Sequence, residues 1–370
     1  MLIGLAVLAI WAYLLAARGA FWIFRDSAPG PLPSPAPRIV AVIPARDEAD
    51  VVAHALASLA QQKYPGEFHI VLVDDDSRDG TAEAARAAVP DPLLQILRAE
   101  PLPPGWTGKL WAVSQGVRYA ARFAPDYLLL TDADIVHAPG NLTALAARAS
   151  TGFDLVSYMA TLECRTPAER ALIPAFVFFF FLLYPPAWIA SARHATAGAA
   201  GGCMLIRRST LERIGGIESI RGELIDDCAL ARKVKSAGGR VWLGLSTATR
   251  SIRQYATFAE IGRMISRSAF TQLRHSALLL AGTVLGLAIA YLAPPILLLN
   301  GGWSAALGAA AWLMMSLAYI PALRFYRCPA WWAPLLPAIA IFYAGATIHS
   351  AVSYWRGHGG QWKGRAQDAL

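Results

Sequence analysis

His69-Ile70-Val71-Leu72-Val73-Asp74-Asp75-Asp76-Ser77-Arg78-Asp79-Gly80-Thr81 is the stretch whose reading decides the fold of this 370-residue chain. A short apolar run bounded by turn residues predicts a buried strand over 69–73, and a helix begins at about Thr81. The strand runs directly into three adjacent carboxylates. Their mutual repulsion favours solvent, a cation or hydrogen-bond donors nearby. At a strand's carboxyl end they can accept hydrogen bonds from a base and ribose. Equally, the segment can be a solvated turn in which Ser77 or Asp79 caps the following helix.

Outward from this stretch the pattern repeats. Residues 38–43 form a strand candidate followed by a helix around 50–61, and Tyr127-Leu128-Leu129-Leu130-Thr131 forms another strand. Such alternation predicts an α/β domain with a mostly parallel sheet. Ligands of these sheets bind beyond the carboxyl ends of the strands, where the acidic motifs of this chain fall. Thr131-Asp132-Ala133-Asp134 follows its strand directly. Its one-residue spacer turns the two carboxylates to different sides of an extended chain. One can face a ribose while the other holds Mg²⁺ or Mn²⁺, which take hard oxygen ligands. Glu223-Leu224-Ile225-Asp226-Asp227-Cys228 places paired acids at a helix start, where the dipole stabilises them. One of them can serve as a general base or simply as an N-cap.

The composition points to a membrane. The chain is 56% hydrophobic and 16% charged, against about 25% charge in soluble domains. Residues 1–17, 277–299, 303–323 and 328–355 are free of charge, and after Arg18 the first run continues apolar to Phe24. A span needs about 20 apolar residues. The start lacks the basic region of a cleaved signal peptide, so 1–24 reads as an anchor. Residues 25–37, with five prolines from Pro29 to Pro37, read as a stiff linker, and 356–370 as a basic tail. The uncharged segment 171–192, with its phenylalanines between Pro174 and Pro185-Pro186, reads as a helix in the membrane interface, with a buried core helix as the alternative. The net charge of +8 comes from scattered residues that flank apolar runs. That distribution fits an anionic membrane surface rather than nucleic acid. The four cysteines show no CxxC or metal-site spacing and read as free thiols.

In this order and spacing, the motifs resemble family 2 glycosyltransferases of the GT-A fold over about residues 38–276. Val42-Ile43-Pro44-Ala45-Arg46-Asp47-Glu48 is similar to the family's opening strand and acidic turn, Asp74-Asp75 to its nucleotide-binding acids, and Gly108-Lys109 to a pair near the donor diphosphate. The resemblance implies a nucleotide-sugar site of Pro44, Arg46, Glu48, Asp74, Asp75, Lys109, Asp132 and Arg274. It also implies a divalent cation (Mg²⁺ or Mn²⁺) on Asp134 and Asp132, an acceptor side at Gly201, Gly202 and Cys203, and a base at Asp227 beside Asp226. The chain departs from the family at Thr271-Gln272-Leu273-Arg274-His275, where a Gln-x-x-Arg-Trp signature is common. Without the Trp, a processive polysaccharide synthase is disfavoured. A second departure is Ser114-Gln115 where an Asn often stands, which bears on the diphosphate contacts near Lys109.

Within the family, the chain resembles the hopanoid-biosynthesis-associated glycosyltransferases, relatives of ceramide glucosyltransferases. The pieces are residues 73–81, Gly105-Trp106-Thr107-Gly108-Lys109, Phe270-Thr271-Gln272-Leu273-Arg274 and Gly360-Gln361-Trp362-Lys363-Gly364-Arg365. This implies a bacterial inner-membrane enzyme, cytosolic in its catalytic domain, that inverts a UDP-sugar or similar donor onto a lipid such as a hopanoid. Alternatives are a polyprenyl-phosphate or ceramide-type acceptor and a catalytically inactive membrane scaffold. Three spans after a cytosolic domain would leave the C-terminus outside, whereas Arg356, Lys363 and Arg365 favour the inside. A re-entrant or interfacial late segment, broken at Pro294-Pro295 or Pro334–Pro337, would reconcile the two.

Overall fold

The computed structural model describes residues 1–25, 30–89 and 92–358, and the backbone of 361, 362, 365 and 366. Pro29 of the proline-rich linker and Gly360, Lys363 and Gly364 of the tail lie outside the described residues. The chain divides into two compact units: Met1–Arg25, Glu163–Ala187 and Gln254–Gly360 form one, and Asp26–Leu162, Trp188–Arg253 and Gln361–Leu370 the other.

The second unit is built on an eight-stranded mixed sheet. Its strands are β1 (Ile39–Ala45), β2 (Phe68–Asp74), β3 (Leu94–Arg98), β4 (Tyr127–Thr131), β5 (Ile135–His137), β6 (Leu155–Thr161), β7 (Cys203–Arg207) and β8 (Val241–Ser251), in the order β3-β2-β1-β4-β7-β6-β8-β5. Pairs β1–β2, β1–β4, β2–β3 and β6–β8 are parallel, and β4–β7, β6–β7 and β5–β8 antiparallel. β1 is buried along its whole length. A parallel strand covered on both faces reads as a continuous apolar run rather than an alternating one.

The helix Gly108–Ala120 packs against this sheet through Gly116, where a Cβ would stand 2.5 Å from Val42 Cγ1 and 3.0 Å from Val73 Cγ2. Only glycine lets the backbones come this close. The approach places the helix's first turn, with Lys109, at the carboxyl end of β4. The helix starts there because Thr107 caps it, accepting from Leu110 N at 3.3 Å.

The other unit is helical. Among the described residues, four helices are long and apolar enough to cross a membrane: Pro167–Ala190, Ala277–Asn300, Gly302–Phe325 and Ala330–Trp355. The first of these covers the segment read above as interfacial. The helix Leu2–Ala17 ends before Arg18. Its 16 residues reach about 24 Å, short of the ~30 Å of a hydrocarbon core. The unit's interior is aromatic: Trp11 meets Tyr291 edge-on at 5.5 Å, and Phe179 meets Tyr291 and Tyr343. Pro294 withholds the donor that Ala290 O would receive in a regular helix. Trp11 Nε1 supplies it instead, at 2.7 Å, and the helix loosens into a π turn over Ala288–Leu292.

Candidate active site

The sheet unit gathers its carboxylates at the strand ends. Lys109 Nζ lies 2.9 Å from Asp132 Oδ1 and 3.1 Å from Asp226 Oδ2, so one ammonium joins the motif after β4 to the helix Asp226–Ser236. Burial works against the Lys109 charge, but Asp132 and Asp226 outweigh it and hold the ammonium well above the usual lysine range. Burial raises Asp132, with Asp134 and Asp226 adding to the effect and Lys109 opposing it. Pro44, Lys109, Asp132, Gly201, Met204 and Asp226 line one cleft.

Asp227 sits in the first turn of its helix. Oδ2 accepts from Gly201 N at 2.9 Å and Oδ1 from Cys228 N at 2.6 Å. Burial and the adjacent Asp226 push its carboxyl up to about 6, against the pull of Lys109 and the two amides. A Cβ on Gly201 would stand 3.4 Å from Lys109 Nζ and 3.5 Å from Asp227 Oδ2, so a glycine there leaves the approach to both groups open. Gly202 O accepts from Thr131 Oγ1 at 2.7 Å. Cys203 is fully buried, its side chain belongs to the hydrophobic core, and burial pushes its thiol up to about 12.

The acidic turn after β2 divides its labour. Asp75 is buried, its N–H donates to Ala45 O at 2.8 Å, and Arg46 Nη1 stands 3.4 Å from its carboxylate. Asp74 Oδ1 accepts from Ser77 N at 3.3 Å, and Asp79 Oδ1 from Thr81 N at 3.0 Å at the head of the helix Thr81–Ala88. Asp76 pairs with Arg98 at the surface. Asp79 thus takes up the first amide of that helix, as the turn reading has it, and Asp75 is buried at the end of β2.

Sequence reading missed Arg253. Its Nε donates to Asp134 Oδ2 at 3.1 Å and its Nη2 to Glu48 Oε2 at 2.6 Å, while Ser251 Oγ donates to the same Asp134 oxygen at 3.1 Å. Ser251 ends β8 and the guanidinium follows two residues later. The available signal was a polar Ser-Ile-Arg just past a strand, and it gains meaning only once β5 and β8 are known to pair. Arg274 belongs to the helical unit, in the turn after the helix Phe258–Gln272, with φ 52°.

Among the described residues, no three His, Cys, Asp or Glu side chains gather to hold a metal ion. Mg²⁺ commonly uses only one or two protein carboxylates, the rest of its shell coming from water and substrate phosphates. Asp132 and Asp134 are carboxylates that could serve as such a pair, and each has one oxygen engaged by a cation, Lys109 or Arg253.

Residues 40–215 match the family model of Glycosyl transferase family 2. Over those residues the chain is similar to family 2 glycosyltransferases. No curated protein matches it in sequence. Among solved structures, it shares its fold with the mannosyltransferase PcManGT from Pyrobaculum calidifontis, solved with GDP-Man and Mn²⁺, at 20% identity and a TM-score of 0.54 over 94% of this chain and 99% of that one. More distant similarities are to S. aureus TarS 1-349 with UDP-GlcNAc (14% identity, TM-score 0.42, 86% and 92% covered) and to the M. tuberculosis glucosyl-3-phosphoglycerate synthase with Mn²⁺, UDP-Glc and glycerol 3-phosphate (19%, 0.41, 64% and 79%). The mixed-sheet GT-A fold and the glycosyltransferase class expected from the motifs are thus found.

Proposed function

We propose that this glycosyltransferase transfers a sugar, with inversion, from a nucleotide-sugar donor (a UDP-sugar by its motifs) onto the hydroxyl of a membrane lipid, with a hopanoid as the favoured acceptor. The observation that carries the proposal is Asp227. Its carboxylate is fixed by two backbone amides, raised to about 6 and placed beside the Lys109–Asp132–Asp226 cluster. A base with a pKa just below the working pH is ionised yet still basic. Asp227 takes the acceptor's hydroxyl proton, and the oxygen bonds to the anomeric carbon from the face opposite the nucleotide. The bond to the diphosphate breaks, and the nucleoside diphosphate leaves with its electron pair. Lys109 stands where it can neutralise that charge. Asp132 and Asp134 would hold a divalent cation, which adds charge neutralisation at the diphosphate. Asp75 and Arg46 shape the nucleotide end, and Arg274 is assigned to the donor on the family resemblance alone.

Support for a lipid acceptor comes from the apolar helical unit, and for a hopanoid from the subfamily motifs. Nucleotide sugars are cytosolic, so the sheet unit belongs on the cytoplasmic side of a bacterial inner membrane. Residues 1–24, 38–276 and 277–355 are assigned as anchor, catalytic domain and membrane helices.

The test is transfer by the purified full chain, given Mn²⁺ or Mg²⁺, a panel of nucleotide sugars, and lipid extracts with or without hopanoids. Mass spectrometry would read a lipid gaining one hexose or N-acetylhexosamine. A product formed only with hopanoid-containing extract establishes the acceptor. Product on another lipid replaces it, and no product or donor binding with any donor overturns the reading.

A further inference from the structure

The chain's charge is concentrated in its helical unit. That unit holds ten arginines and no lysine against three glutamates, a net +7 of the chain's +8. Its glutamates are already engaged: Glu163 with Arg165 at 2.8 Å, Glu169 in the cap of the helix Pro167–Leu183, and Glu260 accepting from Ala256 N.

Eight of these arginines lie toward one end. Met1 N lies 3.1 Å from Ser304 Oγ, and Gly4 packs on Leu307, so the helices Leu2–Ala17 and Gly302–Phe325 run parallel from a shared first end. At that end, residues 277–323 contribute no charged side chain. At the other end Phe24 meets Phe325, and Arg18, Arg25, Arg324 and Arg327 cluster in sequence around those rings. The helix beginning at Ala277 reaches the first end where Leu297 packs on Gly308, so its start, after Arg274, belongs to the arginine end.

The last segment returns to that end. After Cys328 the chain doubles back, and Pro334 O accepts from Trp312 Nε1 halfway along the helix Gly302–Phe325. The helix Leu336–Trp355 then finishes with Trp355 5.4 Å from Phe270 and Tyr354 stacked on His275 at 4.0 Å, which sets Arg356 at the arginine end. Beside it runs the amphipathic helix Phe258–Gln272. Its Ile261, Ile265 and Phe270 are buried, and Arg263 and Arg267, four residues apart, are exposed on one face.

We infer that this end is a docking face for anionic phospholipid, with Arg263, Arg267 and Arg356 binding headgroup phosphates of the leaflet to which the last segment returns. Charge complementarity selects the occupant: juxtamembrane arginines attract an anionic leaflet, and guanidinium groups bind phosphate bidentately. The inference rests on the membrane reading above but not on sugar transfer, and its readout is lipid counting.

The full chain, purified in detergent, is exposed to equal phosphatidylcholine and phosphatidylglycerol with the same acyl chains. Retained lipids are then counted by mass spectrometry. Phosphatidylglycerol is expected to be enriched several-fold, up to roughly fivefold per arginine engaged. The variant R263Q/R267Q/R356Q should fall toward the input ratio, whereas R118Q/R122Q on the sheet unit should not. High salt should lower the wild-type enrichment without any substitution, so the test survives a variant that folds poorly. Equal retention of both lipids by the wild type, or an equal loss in R118Q/R122Q, overturns the inference. A cleavable tag after Leu370 should be cut in vesicles whose cytoplasmic face is outward. Protection there overturns the return of the last segment.

Discussion

The Nε of Arg253 donates to Oδ2 of Asp134 at 3.1 Å, so the second carboxylate of the Asp132-Ala133-Asp134 motif already carries a protein cation. A divalent ion on that carboxylate must share it with the guanidinium, and two cations on one carboxylate repel. Arg253→Met should therefore tighten Mn²⁺ binding by roughly tenfold, a modest figure because the guanidinium is about a third exposed (34%) and water screens the pair. Titration of Mn²⁺ by electron paramagnetic resonance reads this directly. Unchanged affinity would mean that the ion and Arg253 do not compete.

With Asp227 as the proposed base, its carboxyl should set the pH dependence of transfer. Its carboxyl is raised to about 6, so the base is protonated below that pH and ionised above it. The kcat/KM profile should rise with pH and level off above about 6. Asp227→Asn should lower kcat by about 10²–10⁴-fold, the range for loss of general-base action. A variant retaining near wild-type turnover would remove Asp227 from the mechanism.

The first two motifs were legible because their chemistry is local. β4 spans Tyr127–Thr131 as its apolar run predicts, and β2 extends the expected strand by one residue at each end. The carboxylates of Asp74, Asp75, Asp132 and Asp134 sit where the strand ends put them. Arg253 was not legible, because its partners lie 119 and 205 residues away and meet only when β8 closes against β5. Nor does the sequence show that Glu48, expected at the donor, spends its carboxylate on Arg253. Cys203 illustrates a different limit. Its backbone neighbours Gly201 and Gly202 border the site, yet strand alternation turns its thiol into the core.

Lys109 bridges two acids that would otherwise repel. Lys109→Met keeps the aliphatic stem and removes the charge, leaving Asp132 and Asp226 uncompensated. Stability should fall by about 2 kcal/mol, less than for a fully buried pair because 35% of the Asp132 side chain is exposed. Donor affinity, read by calorimetry with the nucleoside diphosphate, should fall as well. Loss of one without the other would separate the structural role from the binding role.

Gly116 predicts a non-additive pair. Gly116→Ala drives a Cβ to within 2.5 Å of Val42 Cγ1 and should destabilise by about 1–3 kcal/mol. Val42→Ala alone opens a void in β1 and also destabilises. In the double variant the new methyl occupies the space the valine left, so its loss of melting temperature should be smaller than the sum of the two single losses. Simple additivity would show that the helix shifts away rather than clashing.

His137 supports the floor of the site from below and makes its stability acid-sensitive. It is buried, and Asn141 Nδ2, 2.8 Å away, donates to Nδ1. Thr249 Oγ1 donates to Asn141 Oδ1, which fixes that amide's orientation. The proton is then on Nε2, donated to Thr131 Oγ1 at 3.0 Å, and Thr131 passes its own to Gly202 O. A second proton on the ring would oppose Asn141, and burial already lowers the imidazole to about 4. The unfolded chain takes up that proton near 6.5, so the contribution is complete above 6.5 and is lost as pH falls toward 4, on the order of 3 kcal/mol in all. Asp227 titrates with the opposite sign, because its raised carboxyl favours the folded state once protonated. Comparing the wild type with His137→Gln separates the two. The variant should melt lower at neutral pH and lose less on going from pH 7 to pH 5. Parallel losses in both proteins would show that another group governs acid sensitivity.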